Sequence, residues 1–359
     1  MPDGPFDPPD RTPRKSGAAG AHGLRRTLAL AVVLAIVGGA APARAADDKE
    51  TDEVDRRGTW SFIWENDVFA GTDRNYTNGN RISYVSPPDA PSAGLHGAIS
   101  RSFFGADAGD EIRYGLAVGQ SMFTPEDTEV AQPLPDQHPY AGWLYGEYSV
   151  FAEDAGGLTI GALQVGIVGP SAYAEEAQNN VHDIINSYQV RGWDNQLKDE
   201  VAFALLLERR ERALLETGLL GLELDLIPHY GVSLGTLRTH AKAGATFRFG
   251  TDLRRDFGPP RVRPAVGGSG FFEATDGFSW YLFAGAEGRA VARSIFLDGN
   301  TFKDSPSVDK EPLVVDAQAG LVMTFRSFQI AYTGVIRSPQ FESQDDPQLF
   351  GSVSISVKF

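Results

Sequence analysis

Alternation with a period of two, repeated along most of the chain, constrains what this sequence can become. Residues 351–359 (GSVSISVKF) set Val353, Ile355, Val357 and Phe359 on one face and Ser352, Ser354, Ser356 and Lys358 on the other. Side chains of a β-strand alternate in this way. Residues 58–66 set Trp60, Phe62 and Trp64 against Ser61 and Glu65. Residues 111–120 set Ile112, Tyr114, Leu116 and Val118 against Arg113, Gly115, Ala117 and Gly119. The pattern continues less cleanly through 76–86, 140–153, 157–168, 199–211, 222–236, 238–249, 279–293, 313–325 and 327–338. These segments exceed the five or six residues common in soluble strands. The spacing predicts an all-β fold, an antiparallel transmembrane β-barrel of about twelve strands, apolar outward and polar inward. A large soluble sandwich, with one wet face per strand, is the competing architecture.

Composition bears on that choice. The chain has 359 residues, no cysteine and a formal net charge of -15. Absence of cysteine excludes a disulfide scaffold and a thiolate metal site. The acidic balance argues against nucleic acid as a partner. Arg25 and Arg26 precede the apolar run Leu28–Val37, and Ala43-Arg44-Ala45 follows as an A-x-A cleavage site. That run is too short to span a bilayer and reads as an export signal. Residues 1–45 are therefore expected to be an N-terminal extension and signal peptide, 46–57 a polar tail and 58–359 the barrel. Export, strand length and aromatics near strand ends (Trp60, Trp64, Tyr140, Trp143, Tyr145, Trp280, Tyr281) favour the outer membrane of a Gram-negative cell, reached after signal-peptide cleavage. Insertion there implies the barrel-assembly machinery as a partner.

With both termini periplasmic, 67–75, 121–139, 169–198, the turn near Leu237, 294–312 and 339–348 become outer connections. Residues 175–196 read as a helix within one of them. Ala174, Ala177, Val181, Ile184 and Tyr188 form its apolar seam, and Glu175, Gln178 and His182 a polar stripe. A capping helix with a solvated stripe is the ordinary reading of that pattern. Residues 87–110 and 250–278 are unusually long for periplasmic turns.

Several polar groups converge on the outer rim. Glu65, Asn66 and Asp67 close the first strand, Asn75 to Asn78 open the second, and Gln120, Ser121 and Thr124 close the third. His138 to Trp143 (HPYAGW) open the fourth. Each alone is ordinary turn or strand-end chemistry. Glu65, Asp67 and Thr77 share lumen-side parity in this register. Together the rim holds a carboxylate able to bind a hard cation through oxygen and an imidazole able to take a proton from water. A cation near a carbonyl stabilises a developing oxyanion.

WENDVFAGTDRNYTNG, followed by PYAGW, Gly166 to Pro170 (GIVGP), QNNVH and GWDNQ, resembles the lipid A 3′-O-deacylase family of outer-membrane barrels. The resemblance runs from about residue 58 to Phe359. It implies a twelve-stranded barrel and Ca²⁺-dependent removal of the 3′-linked acyloxyacyl group of lipid A, with lipopolysaccharide as substrate. It also implies a site between the barrel wall and an outer-loop helix. By matching motif, it makes His182 the base, Asp67 the Ca²⁺ ligand, and Asn66, Thr77 and Gln178 the groups that complete the site. The chain departs from the family in having Glu126, Asp127 and Glu129 where a lysine is expected, and Tyr188 where an acid is expected. Another lipid hydrolase of phospholipase type, or a non-catalytic porin or structural barrel, are the alternative functions.

Overall fold

In the computed structural model the residues described are 55–70, 75–88, 94–105, 107, 110–184, 189–212, 217–219, 222–262 and 268–359. The residues expected to form the extension and signal peptide (1–45), and most of the expected polar tail (46–57), lie outside them. Strands run β1 (Thr59–Asn66), β2 (Asn75–Val85), β3 (Glu111–Thr124), β4 (Ala141–Asp154), β5 (Gly157–Val168) and β6 (Glu200–Glu211). They continue as β7 (Thr217–Leu219), β8 (Leu222–Leu234), β9 (Arg238–Gly250), β10 (Phe278–Ser294), β11 (Leu313–Phe325), β12 (Phe328–Arg337) and β13 (Gln348–Lys358). All pair antiparallel with sequence neighbours, except that β6 pairs β8 and β1 pairs β13. The second of these pairings closes the wall into a barrel of twelve strands. β7 is a short arm on β8 that period-two reading missed.

Wall alternation follows the sequence. In β1, Thr59, Ser61, Ile63 and Glu65 are buried while Trp60, Phe62 and Trp64 are exposed. β13 repeats this with Ser352, Ser354, Ser356 and Lys358 inside. The outward Trp, Phe, Leu and Val band is the surface a bilayer would cover. The expected aromatic girdle is only half right. Trp60 and Trp64 face outward, but Trp143 and Tyr145 stack at 5.6 Å within the inner core, and Tyr281 is buried beside Phe283. Strand-end aromatics fill this barrel's interior as well as its rim.

The interior is packed with ions. Arg81 meets Glu147 at 2.9 Å, Asp316 takes both Arg289 and Arg337 at 2.8 Å, and Lys242 lies between Glu208 (2.8 Å) and Glu287 (3.1 Å). Buried charges persist only when paired. The long connection after β9 accounts for the remaining space, since it folds into the lumen. Asp256 accepts from Arg248 (2.6 Å), Tyr281 (2.9 Å) and Gln329 (3.2 Å), and Phe257, Phe271 and Phe272 are buried. The other long connection carries helix α1 (Gly94–Phe104), which covers Ile112, Val150 and Ala152 on the outside of β3 and β4. A four-residue helix near the opposite end of the lumen (Ile295–Asp298) buries Phe296 against Phe123 at 4.3 Å.

Candidate active site on the outer wall

One cross-strand row organises the site. Register aligns Asn66 of β1 with Asn78 of β2, Asn78 with Met122 of β3, and Met122 with Gly142 of β4. By alternation Asn66 and Met122 belong to the outward set with Trp64 and Val118. Gly142, the glycine of PYAGW, has its own reason. A Cβ there would sit 2.7 Å from the Cβ of Ala174 and 3.0 Å from that of Ala172. Only a glycine lets the chain cross the wall so closely.

Helix α2 (Ala174–Ile184) begins at that crossing. It is entered through a 3-10 turn, Pro170–Ala172, and through Tyr173 in the left-handed region at φ 56°. The helix lies over β4 and β3, with Ala174, Met122, Tyr140, Val190 and Trp193 forming one apolar cluster beneath it. Gln120 Nε2 donates to Ala172 O at 2.7 Å and fixes the entry. At 1.5 Å per residue, His182 lies about 12 Å along the axis from Ala174. Three strand spacings, from β4 to β1, span about 14 Å.

Two expectations about this helix are corrected. It is described over Ala174–Ile184, 185–188 lie outside the described residues, and Trp193–Asn195 forms a separate 3-10 turn. The side turned to the wall takes Gln178 and His182 of the polar stripe together with Ala174 and Ala177 of the seam, while the seam's later residues, Val181 and Ile184, are 54% and 84% exposed. The physical reason lies in the partner supplied from beyond the helix. Trp193 Nε1 donates to Gln178 Oε1 at 2.9 Å, so a buried amide oxygen is satisfied. Trp193 belongs to the GWDNQ run, and helical spacing alone gives no signal for it. Its distance from Gln178 is 15 residues.

Asp67 is 1% exposed and opens the 3-10 turn Asp67–Ala70 directly after β1. Asn66 Oδ1 accepts the Val68 amide at 2.7 Å. Phe69 of this turn packs on Trp64 (5.0 Å) and Tyr332 (6.1 Å), both on the outward face. Thr77 Oγ1 bonds Thr124 Oγ1 at 2.7 Å. The expected lumen parity of Thr77 is not found. A bulge falls between Tyr76 and Asn78, Tyr76 faces the lumen, and Thr77 turns away from that row. Asn66, Asp67 and Thr77 therefore come from the outer ends of β1 and β2, and Gln178 and His182 from the helix over the adjacent strands β3 and β4. His138 belongs elsewhere. It stacks on Phe123 at 5.3 Å, its Nδ1 lies 2.8 Å from Pro139 O, and burial together with Arg238 lowers it to about 4. Glu175 is raised, by burial first and then by Glu176 and Asp194.

Among the described residues no three His, Cys, Asp or Glu are grouped to hold a metal. Continuing the register of Asn66 with Asn78, the ends of β1 and β2 offer the Asp67 carboxylate, the Thr77 hydroxyl and the Asn66 amide oxygen, all oxygen donors. That set fits a hard cation completed by backbone carbonyls and water. It does not fit a thiolate or imidazole metal site.

A family model described as outer membrane protein LpxR matches residues 28–359. The chain belongs to the LpxR family. Among solved structures, this LpxR-family barrel resembles LpxR from Salmonella typhimurium with a TM-score of 0.66 at 17% identity, covering 84% of this chain and 100% of that one. The β domain of the Bordetella autotransporter BrkA matches at a TM-score of 0.40 and 9% identity, over 85% of this chain and 99% of that one. No curated protein matches in sequence. The LpxR-family chain is thus an outer-membrane β-barrel protein.

Proposed function

We propose that this chain is a lipid A deacylase that hydrolyses the 3′-linked acyloxyacyl ester of lipopolysaccharide. The observation that carries the reading is the burial of two polar side chains, Gln178 and His182, on the helix that lies against the outer face of β3 and β4. Burying polar side chains costs free energy unless they are partnered, and an apolar alternative, the Val181–Ile184 side, was available on the same helix. Family membership supports the substrate class.

In this reading His182 takes the proton of a water molecule as the water oxygen attacks the acyl carbonyl carbon. The tetrahedral oxyanion collapses, the bond from carbon to the sugar oxygen breaks, and His182 returns the proton to the leaving alkoxide. The products are a free carboxylic acid and a sugar hydroxyl. Trp193 holds the Gln178 amide, which orients water or the ester. Asp67 is the residue that would hold Ca²⁺, through its carboxylate, and Asn66 and Thr77 would complete the site, Thr77 orienting water or substrate. A bound Ca²⁺ supplies Lewis-acid polarisation of the ester carbonyl.

The test uses purified, heat-modifiable barrel in detergent with lipopolysaccharide, with and without Ca²⁺ and a chelator, read by mass spectrometry. The expected result is loss of the 3′ acyloxyacyl mass with Ca²⁺ and retention with chelator. Release of fatty acid from phospholipid alone would overturn the lipid A assignment, and no release from either lipid would overturn the enzyme.

A further inference from the structure

We propose that Arg261, carried by the lumen-filling connection between β9 and β10, is a positioning residue for the site on the other side of the wall. The inference rests on the deacylase reading above and deepens it.

Glu65 is the focus. It lies on the lumen side at 1% exposure and accepts three hydrogen bonds: from Tyr76 Oη at 3.0 Å, Arg261 Nε at 2.5 Å and the Val262 amide at 3.1 Å. Glu65 immediately precedes Asn66 and Asp67, and Tyr76 immediately precedes Thr77. Every residue it joins is therefore next in the chain to a site residue, or belongs to the connection. Glu65 and Gly79 are cross-strand partners. A Cβ on Gly79 would lie 1.9 Å from Tyr76 Oη and 3.5 Å from Val262 Cγ1, so glycine is required for the tyrosine to lie across the strand. Arg261 is held in turn by Gln318, through Nη1 at 3.0 Å, and lies over Phe350, whose ring meets Tyr76 at 5.2 Å.

Neighbouring residues of a strand point to opposite faces. Fixing Glu65 from the lumen therefore fixes the backbone that aims Asn66 outward. The bulge at Thr77 needs the same support, because a bulge breaks the ladder locally and leaves its extra residue without a partner. Tyr76, tied to Glu65, holds the residue beside it. A connection starting at the end of β9 and reaching the outer end of β1 is far longer than a periplasmic turn requires. Its burial of a guanidinium is intelligible if that cation braces the motif from behind. Supporting residues of this kind set the precision of a site without touching substrate.

The experiment compares wild type, Arg261→Ala and Arg261→Lys as full-length folded barrels. It reads amide hydrogen exchange in peptides covering 64–70 and 75–80, and kcat and KM for acyl release from lipopolysaccharide. For Arg261→Ala the expected result is exchange about tenfold faster in those two peptides and unchanged in β5. Its kcat should fall about 10- to 100-fold with KM nearly constant, and Arg261→Lys should recover most of both. Unchanged exchange, or faster exchange with wild-type kcat, overturns the positioning role. If Arg261→Ala fails to close, Arg261→Gln decides. Faster exchange in the two peptides with lowered kcat supports the role, and wild-type exchange and kcat overturn it. A wild type that releases no acyl group would sink the deacylase reading, and the exchange data would still decide whether Arg261 braces this end of the wall.

Discussion

At the residue scale, the outcome turns on what satisfies Gln178 and His182 once they face the wall. Trp193 supplies the bond to Gln178 and packs in the cluster under the helix. Trp193→Phe keeps an aromatic ring in the cluster, though a smaller one, and removes the donor. It should leave the folded barrel intact, as shown by its gel shift on heating, and lower kcat by up to about 10²-fold through misorientation of the amide. Wild-type kcat would mean Gln178 needs no such support. Candidate residues were legible in the sequence because strand parity is local. Glu65 inside and Asn66 outside follow from counting by two. The position of Thr77 was not legible, because Thr-Asn-Gly after Tyr marks a turn or bulge without fixing which residue is the extra one, and a one-residue bulge reverses parity.

At the element scale, α2 could be recognised from its spacing but not aimed. The seam of Val181 and Ile184 is the more apolar side, so pattern alone turns it inward. The actual orientation depends on contacts from 28 to 52 residues away in sequence, such as Ser171 to Asp199 and Gln120 to Ala172. Gly142 is the pivot of that docking. Gly142→Leu introduces a side chain where even a Cβ falls 2.7 Å from Ala174, so the helix start must lift. Helix displacement should reduce acyl release by about 10²-fold or more while the barrel still closes, measured by activity beside heat-modifiable mobility. Activity at the wild-type level would show that α2 does not form a wall of the site.

At the scale of the whole molecule, strand count, closure and the polar interior were readable, since each is a sum of local alternations. The filling of the lumen by the connection after β9 was not. Its residues carry no period, and its anchors Glu65, Gln318 and Gln329 are distant in the chain. The same region is clamped near the termini by Asp55, which accepts from Arg57, Lys358 and the Ala274 amide. Burial raises the Asp55 carboxyl, but these donors outweigh it and hold the group well below its usual range. A carboxyl depressed on folding stabilises above its unfolded value, about 3.9, and the contribution is lost as pH falls towards the folded one. Exchange in the 268–275 segment should therefore rise below about pH 4 in wild type and be raised already at neutral pH in Asp55→Asn. No difference between the two at neutral pH would remove Asp55 as the clamp. The central claim, that this outer-membrane barrel deacylates lipid A through His182, is tested most directly by mass spectrometry of lipid A from cells producing wild type or His182→Ala at equal levels of folded barrel. Wild type should remove the 3′ acyloxyacyl group, and His182→Ala should lose about 10²- to 10⁴-fold of that activity, the usual contribution of a general base. Identical lipid A from both would contradict the account.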